Sequence, residues 1–158
     1  MKIQSYTYPK SSFLSTEKDM NIIVDRIMKN ERLKKMLFYT SRDCLDRPKL
    51  TPDETHSLFG KQIKIVPKLY VDGSVLNYII ISFDNFTPNE TNPEFRDCNV
   101  VFDIISHTDY WALDNYQIRP LKIAGYIDGI LNNAKLSGIG EFHFLGCSQL
   151  VLSEDLSG

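Results

Sequence analysis

The second half of the sequence contains Cys98-Asn99-Val100-Val101-Phe102-Asp103-Ile104-Ile105-Ser106, a β-branched and apolar run that predicts a strand buried on one or both faces. A helical pattern follows over residues 118–134. Its apolar residues recur at offsets of four, three and four, the spacing that lines one helical face: Ile123, Ile127, Ile130 and Ala134. We therefore expect a strand that leads, through an aromatic loop, into a helix packed on a sheet.

On the N-terminal side, apolar residues recur at helical spacing between residues 16 and 40, which predicts one long or broken helix capped by Ser15 or Thr16. Residues 1–14 have no helical period and are expected to form an extended N-terminal arm. Residues 41–60 are rich in proline and charge and predict a connecting loop. Within this loop, Thr51-Pro52-Asp53-Glu54 favours the start of one short helical turn.

Further strands are predicted on both sides of the central one. Residues 62–71 and 76–84 flank the reversal signal Asp72-Gly73-Ser74, which favours a hairpin. Residues 86–97 are expected to form a loop, and residues 142–152 a last strand with no further strand after it. The predicted order is helix, three strands, helix and strand. This order indicates a single α+β domain over residues 1–158, with a mainly antiparallel sheet, a long N-terminal helix and a second helix packed on it.

The composition is that of a globular protein, with 42% apolar and 24% charged residues. A formal net charge of −2 gives no overall electrostatic signature of nucleic-acid or membrane binding. No run approaches the roughly 20 apolar residues of a membrane span, and the N-terminus lacks the apolar core of a signal peptide. The three widely spaced cysteines indicate free thiols, so we expect assembly in a cytoplasm: Cys44, Cys98 and Cys147.

The sequence contains no recognisable catalytic, cofactor-binding or metal-binding motif. One set of residues could still be assembled into a metal or acid–base site. It consists of Asp103, His107 and Asp109 near the end of the central strand, with His143 on another predicted strand. Scattered histidines and acids at loop ends are usually solvated or capping groups. A small metal-dependent or acid–base hydrolase is therefore the alternative function.

The loop over residues 110–116 carries the single tryptophan and two tyrosines, residue types that anchor protein interfaces when exposed. The candidate contacts with a subunit or partner are Tyr110, Trp111, Leu113 and Tyr116. The alternative for Trp111 is that its ring closes the core. Gly125 and Gly129 share one face of the following helix and cost roughly 1 kcal/mol each relative to alanine, which predicts that the sheet or a neighbouring subunit approaches this face.

Residues 62–152 place four features in order: a long predicted hairpin, the acid-containing strand at 99–106, a loop, and the helical run Arg119-Pro120-Leu121-Lys122-Ile123-Ala124-Gly125-Tyr126-Ile127-Asp128-Gly129-Ile130-Leu131. This order, with the Ile-Ala-x-x-Ile-x-x-Ile-Leu rhythm of the helix, resembles the tail-terminator and head–tail joining (neck) proteins of tailed bacteriophages. In that family the helix precedes a final β-hairpin.

The resemblance implies a structural, non-enzymatic virion protein without cofactors. Such a protein is a connector that assembles as a homo-oligomeric ring, a hexamer or higher, beside the portal, adaptor or tail-tube proteins. DNA passes through the ring lumen without sequence-specific binding, and no membrane takes part. The implied location is the virion, after assembly in the host cytoplasm. Head-to-tail contacts between two different surfaces of each subunit close such a ring. A protein-binding adaptor domain is a third reading of the sequence.

Overall fold

A computed structural model describes residues 16–65, 77–92, 96–136 and 139–158. Within these ranges the helices are α1 (Thr16–Met28), α2 (Glu31–Phe38), α3 (Pro52–Ser57) and α4 (Arg119–Leu131). The strands are β1 (Ile63–Lys64), β2 (Asn77–Pro88), β3 (Arg96–His107), β4 (Lys135–Leu136), β5 (Gly140–Glu141) and β6 (Leu156–Ser157). The predicted α+β class is confirmed. The N-terminal arm predicted for residues 1–14 lies outside the described residues.

The N-terminal helical region is broken in two at Asn30. The Asn30 side-chain oxygen accepts a hydrogen bond from the Leu33 backbone N–H at 3.1 Å and so caps α2. The helical turn predicted at residues 51–54 is confirmed as the start of α3. There Thr51 and Glu54 form a reciprocal capping box, with Pro52 in the first turn.

The main sheet has the strand order β1-β2-β3-β6 and is mainly antiparallel, as predicted. β2 and β3 pair antiparallel along almost their whole length, from Asn77 opposite Ser106 to Pro88 opposite Arg96. β6 adds antiparallel to the end of β3, whereas β1 pairs parallel to β2. β4 and β5 form a separate two-stranded sheet.

The antiparallel hairpin predicted between residues 62–71 and 76–84 is wrong. In the part of the first run that the structure describes, β1 pairs with β2 in the parallel direction. The predicted turn at residues 72–74 lies outside the described residues. β2 instead forms its hairpin with β3, and the two strands extend into both ends of the loop predicted at 86–97. β3 is as long as β2 and places apolar residues opposite apolar residues, for example Ile79 opposite Ile104.

The prediction for the end of the chain is also wrong. Residues 142–150 form no regular strand, and β6 lies within residues 153–158, where no further strand is expected from the sequence. Leu150 and Gly158 exchange two backbone hydrogen bonds of 2.6 and 2.7 Å, so the end of the chain forms a small hairpin. The turn is fixed by the Ser153 hydroxyl, which accepts a hydrogen bond from the Leu156 N–H at 3.2 Å. A two-residue strand has no period that a sequence pattern can reveal.

Alternation along β2 and β3 gives the sheet two apolar faces. One face packs under the helices in the main core. The sheet contributes Ile79, Ile81, Phe102 and Ile104, and the buried stripe of α4 contributes Ile123, Ile127 and Leu131. The opposite face holds a smaller cluster that is covered by the end of the chain: Tyr78, Ile80, Ile105 and Leu156, with Leu150 at its edge. No helix in the described ranges is both long enough and apolar enough to span a membrane.

Candidate subunit-contact site

The segment between β3 and α4 is closed by its own backbone hydrogen bonds. A 3-10 turn at Thr108–Tyr110 and a second turn at Asp114–Tyr116, left-handed at Asn115 and Tyr116, make up most of it. The Leu113 N–H donates to the Gln117 carbonyl at 2.8 Å, and the Arg119 N–H donates to the Trp111 carbonyl, also at 2.8 Å. The segment is therefore an ordered loop, and its shape is set before any partner binds.

The Arg119 guanidinium holds this loop from the inside. Arg119 is fully buried at the start of α4. Its five N–H donors reach five backbone carbonyls at 2.7–3.1 Å, on the loop, at the end of α2 and just beyond it: Tyr110, Met36, Tyr39, Thr40 and Ser41. The carbonyls at a helix C-terminus carry partial negative charge, so they suit a cation. We call this arrangement the Arg119 clamp.

A buried thiol lies beside the clamp. Burial raises the pKa of Cys44, and the nearby Arg119 guanidinium offsets part of that rise by favouring the thiolate. Burial lowers the pKa of Arg119 itself. Burial also raises the pKa of Cys98 on β3, and the carboxylates of Asp19 and Asp97 raise it further. Both thiols therefore hold their protons more tightly in the folded chain than in the unfolded one.

We expect the stability of the protein to fall as the pH rises above about 8.5, the usual thiol pKa. The unfolded chain then loses the protons of Cys44 and Cys98 while the folded chain keeps them, so the unfolded state binds fewer protons and is favoured. Below that pH the two states bind these protons equally. Urea unfolding at a series of pH values measures the slope. A Cys44→Ala/Cys98→Ala variant should show a shallower slope, and an unchanged slope would contradict the assignment.

Two of the four predicted contact residues help to hold the loop in place. The Trp111 indole N–H lies 3.2 Å from the Ser106 carbonyl oxygen and 3.3 Å from that of Ser157, so it connects the loop to β3 and β6. Trp111 is partly buried, and Leu113 is buried in the main core. Tyr110 is partly buried, and its ring centroid lies 5.7 Å from that of His107.

Tyr116, in contrast, is fully exposed, with a relative accessibility of 104%. Its φ angle is +58°, and that of the preceding Asn115 is +60°. A left-handed backbone is common for asparagine and rare for a bulky side chain. Ile118 and Leu121 follow at the start of α4 and are 42% and 64% exposed. We call Tyr116, Ile118 and Leu121 the Tyr116 patch, a group of exposed apolar residues at the end of the loop and in the first turn of α4.

Sequence reasoning found Tyr116 from its aromatic neighbours but missed Ile118 and Leu121. A signal for Leu121 was present, since its position falls outside the stripe that Ile123, Ile127 and Ile130 define on α4. An apolar residue away from the buried stripe of a helix is a candidate for contact with another molecule.

The residues of the alternative hydrolase site are placed in different parts of the fold. His107 and Asp109 are close, with 3.6 Å between His107 Nδ1 and Asp109 Oδ2. The same Nδ1 accepts a hydrogen bond from the Asp109 backbone N–H at 3.3 Å, as in a helix cap. Asp103 lies on β3, and His143 is exposed after β5. Among the described residues, no group of three or more histidines, cysteines or acids is placed to hold a metal ion.

Gly125 and Gly129 lie on an exposed face of α4. A Cβ atom added at either position would meet no atom within 4 Å, so within the described chain neither the sheet nor another segment approaches them. Of the two neighbours predicted for this face, the sheet is thus ruled out among the described residues. A neighbouring subunit remains as the prediction.

We expect Gly125→Ala and Gly129→Ala each to stabilise the isolated subunit by up to about 1 kcal/mol, because alanine reduces the entropy of the unfolded chain and fits without strain. Thermal unfolding at low protein concentration measures this gain. A lower midpoint would mean that the helix backbone tolerates no Cβ atom there. If a neighbouring subunit packs on the face, the same variants should weaken assembly while they stabilise the subunit.

The YomW family model matches residues 30–158, from the cap of α2 through β6. The chain belongs to the YomW family. YomW is a Bacillus phage-type protein name, and the chain is accordingly phage-associated. The YomW match includes the Arg119 clamp and the Tyr116 patch. No curated protein and no solved structure matches the chain.

Proposed function

We propose that this YomW-family protein is a structural virion component, a ring subunit in the neck or tail-completion region that joins the phage head to the tail. The Tyr116 patch is the observation that carries the proposal. Interface anchors are typically aromatic and apolar side chains held in a fixed conformation, because little entropy is then lost on binding. Arg119, Trp111 and Leu113 hold the loop in this way, while Tyr116 stays fully exposed.

In the proposed assembly, copies of the chain form a ring of six or more subunits, and DNA passes through the lumen without sequence-specific contacts. The Tyr116 patch of one subunit meets a different surface on the next, which is the kind of contact that closes a ring. Neighbouring virion proteins, the portal or adaptor on one side and the tail tube on the other, stack on the ring. The role is structural, and the virion is its location.

Removal of the Tyr116 patch should weaken self-association without unfolding the subunit. We expect a Tyr116→Ala/Leu121→Ser variant to form smaller species than the unaltered protein in light scattering, because it loses two exposed anchors. Phe144→Ala/Leu145→Ser is the matched control, since it removes another exposed aromatic residue and leucine outside the loop. Equal loss of assembly in both variants, or in neither, would contradict the assigned contact.

The place in the particle is tested in the phage that encodes the chain. Without this protein, we expect lysates to contain DNA-filled heads and separate tails, because the joint between them is missing. Mass spectrometry of purified virions should find the protein in joined particles at a fixed copy number. Infectious particles formed in its absence would overturn the proposal, as would a strict monomer even beside the neighbouring virion proteins.

Two other outcomes would support the alternatives. The observation that favours the hydrolase reading is the close His107–Asp109 pair. Binding of a divalent metal that is lost in His107→Ala would support it. A monomer that binds one other protein through the Tyr116 patch would instead support an adaptor.

A further inference from the structure

The β2–β3 hairpin extends beyond the core of the protein. Phe83 and Val100 are the outermost hairpin residues that pack against the main core. Beyond them, β2 is exposed from residue 84 to residue 88, and β3 is exposed at residues 96 and 97. We call residues 84–92 and 96–97 the hairpin arm. An isolated two-stranded ribbon is only marginally stable in water, so this arm gains stability when another surface covers it.

The arm has a defined shape. A β-bulge between Asp84 and Thr87 shifts the register at its root, where Asn85 has a φ angle of +52°. Bulges bend and twist a ribbon, so this one sets the direction of the arm. At the other end, the Asn89 amide donates to both Asp97 carboxylate oxygens at 3.0 and 3.1 Å. A ribbon with fixed ends is suited to dock as a preformed element.

The charge of the arm indicates what kind of surface it fits. Its described charged residues are three acids and one base: Asp84, Glu90, Asp97 and Arg96. An excess of carboxylates repels the phosphates of DNA, and it favours a basic protein surface. Phe86, 37% exposed, adds an apolar contact to the arm.

A basic surface of this kind lies on the exposed side of α1. Three bases surround the exposed Ile22 on one helical stripe: Lys18, Arg26 and Lys29. Two acids of α1 lie on or beside this stripe: Asp25, which is paired with Lys29 at 2.8 Å, and the half-buried Asp19, seven residues before Arg26 on the same helical line. The stripe therefore carries one more base than acid. From Lys18 to Arg26 the stripe is about 12 Å long, at about 1.5 Å per helical residue. From residue 84 to residue 88 the exposed part of β2 in the arm is about 13 Å long, at roughly 3.3 Å per strand residue.

We propose that the hairpin arm of one copy docks on the exposed α1 stripe of the neighbouring copy. The proposal rests on the ring assembly proposed above and names a second contact within it. Arm carboxylates face Lys18 and Arg26, and Phe86 packs on Ile22. The two surfaces differ and belong to different elements, so each subunit gives an arm to one neighbour and accepts an arm from the other.

Charge reversal with mixing tests this contact on the full chain. One variant reverses the arm, Asp84→Lys/Glu90→Lys, and a second reverses the stripe, Lys18→Glu/Arg26→Glu. Alone, each places like charges opposite each other, so we expect assembly to require at least about tenfold more protein. Mixed in equal amounts, the two variants place opposite charges together at every contact and should assemble again. Sedimentation velocity at low salt measures both results.

Two controls accompany the reversals. Lys49→Glu/Lys61→Glu changes the net charge of the chain as much as the stripe variant does, but at exposed bases away from α1, and should assemble like the unaltered protein. The neutral pair Asp84→Asn/Glu90→Gln keeps the size of the arm side chains and should give an intermediate loss. If the charge-reversed arm variant does not fold, this neutral variant tests the arm contact in its place.

The outcomes separate the two proposals. Normal assembly of the arm or stripe variant, or no recovery in the mixture of folded variants, would overturn the arm contact and leave the ring in place. Recovery in the mixture that fades with added salt supports the contact, because salt screens exposed charges. An unaltered protein that never self-associates, alone or with neighbouring virion proteins, would overturn both the ring and the arm contact.

Discussion

Replacement of Arg119 by methionine is expected to lower the free energy of unfolding by about 4 kcal/mol, at the upper end of single substitutions, because several buried or partly buried acceptors are left without a partner. The methionine keeps much of the apolar stem but donates no hydrogen bond. Five carbonyls in and around the clamp would then lose their donor; the hydrogen bond to the Met36 carbonyl is buried, and the other four are partly buried. Urea unfolding followed by circular dichroism measures the loss.

Two further variants separate the charge of Arg119 from its geometry. Arg119→Lys keeps the charge but reaches at most three acceptors from a single nitrogen, so we expect an intermediate loss of stability. Arg32→Met is the control at an exposed arginine, which donates a hydrogen bond to the Tyr126 hydroxyl at 3.2 Å, and should leave the unfolding midpoint unchanged. Equal stability of Arg119→Met and the unaltered protein would show that the clamp contributes nothing.

Trp111→Ala is expected to have the second largest effect, a loss of about 3 kcal/mol, in the range for removal of a large aromatic ring that is only partly buried. The variant removes the ring and also the indole N–H that lies between the Ser106 and Ser157 carbonyls. We therefore expect β6 and the loop to loosen together. Hydrogen exchange should show faster exchange in the last residues of the chain.

The Trp111 variant also tests two alternatives that the sequence left open. As a subunit contact, Trp111 would be needed for assembly more than for the stability of the subunit. As an anchor of the loop, it would be needed for both, because the Tyr116 patch loses its support. Trp111→Phe keeps most of the ring and loses the N–H, so it should cost roughly 1 kcal/mol. Assembly lost without any loss of subunit stability would contradict the anchoring role.

The elements predicted best from the sequence are those whose patterns are local. The strand predicted at residues 98–106 lies inside β3, and the helix predicted at residues 118–134 contains α4. The helix shows the period of burial on one face, and β3 shows the continuous apolar run of a strand that is covered on both faces. A window of a few residues reveals either pattern. The capping box at Thr51 and Glu54 is equally local, and its helical turn was predicted correctly.

The features that the sequence did not predict depend on partners far along the chain. Arg119 resembles an ordinary base in the first turn of a helix, whereas its acceptors on α2 and beyond lie 78 to 83 residues away. The same limit applies to β1, since a strand-like run does not state whether it pairs parallel or antiparallel. In β6 the pairing with β3 produced a strand where no local pattern existed.

Because of the same dependence on distant contacts, the sequence predicted only part of the candidate site. Residue type was enough to select Tyr116, but the exposure of Ile118 and the burial of Leu113 follow from how the loop folds back between Trp111 and Arg119. The hairpin arm was missed because residues 86–97 are rich in turn-forming residues. In the structure the two strands pair inside this segment, with Pro88 opposite Arg96.

The β2–β3 hairpin joins neighbouring segments of the chain and the Arg119 clamp joins distant ones, and this difference affects how long a folded subunit lasts. β2 and β3 are neighbours along the chain, so closure of their hairpin costs little entropy and should occur early in folding. The Arg119 clamp joins distant segments and should form after the main barrier. Its loss would then accelerate unfolding and leave the refolding rate nearly unchanged. On this view, the clamp determines how long a folded subunit persists, and the hairpin determines how quickly one forms.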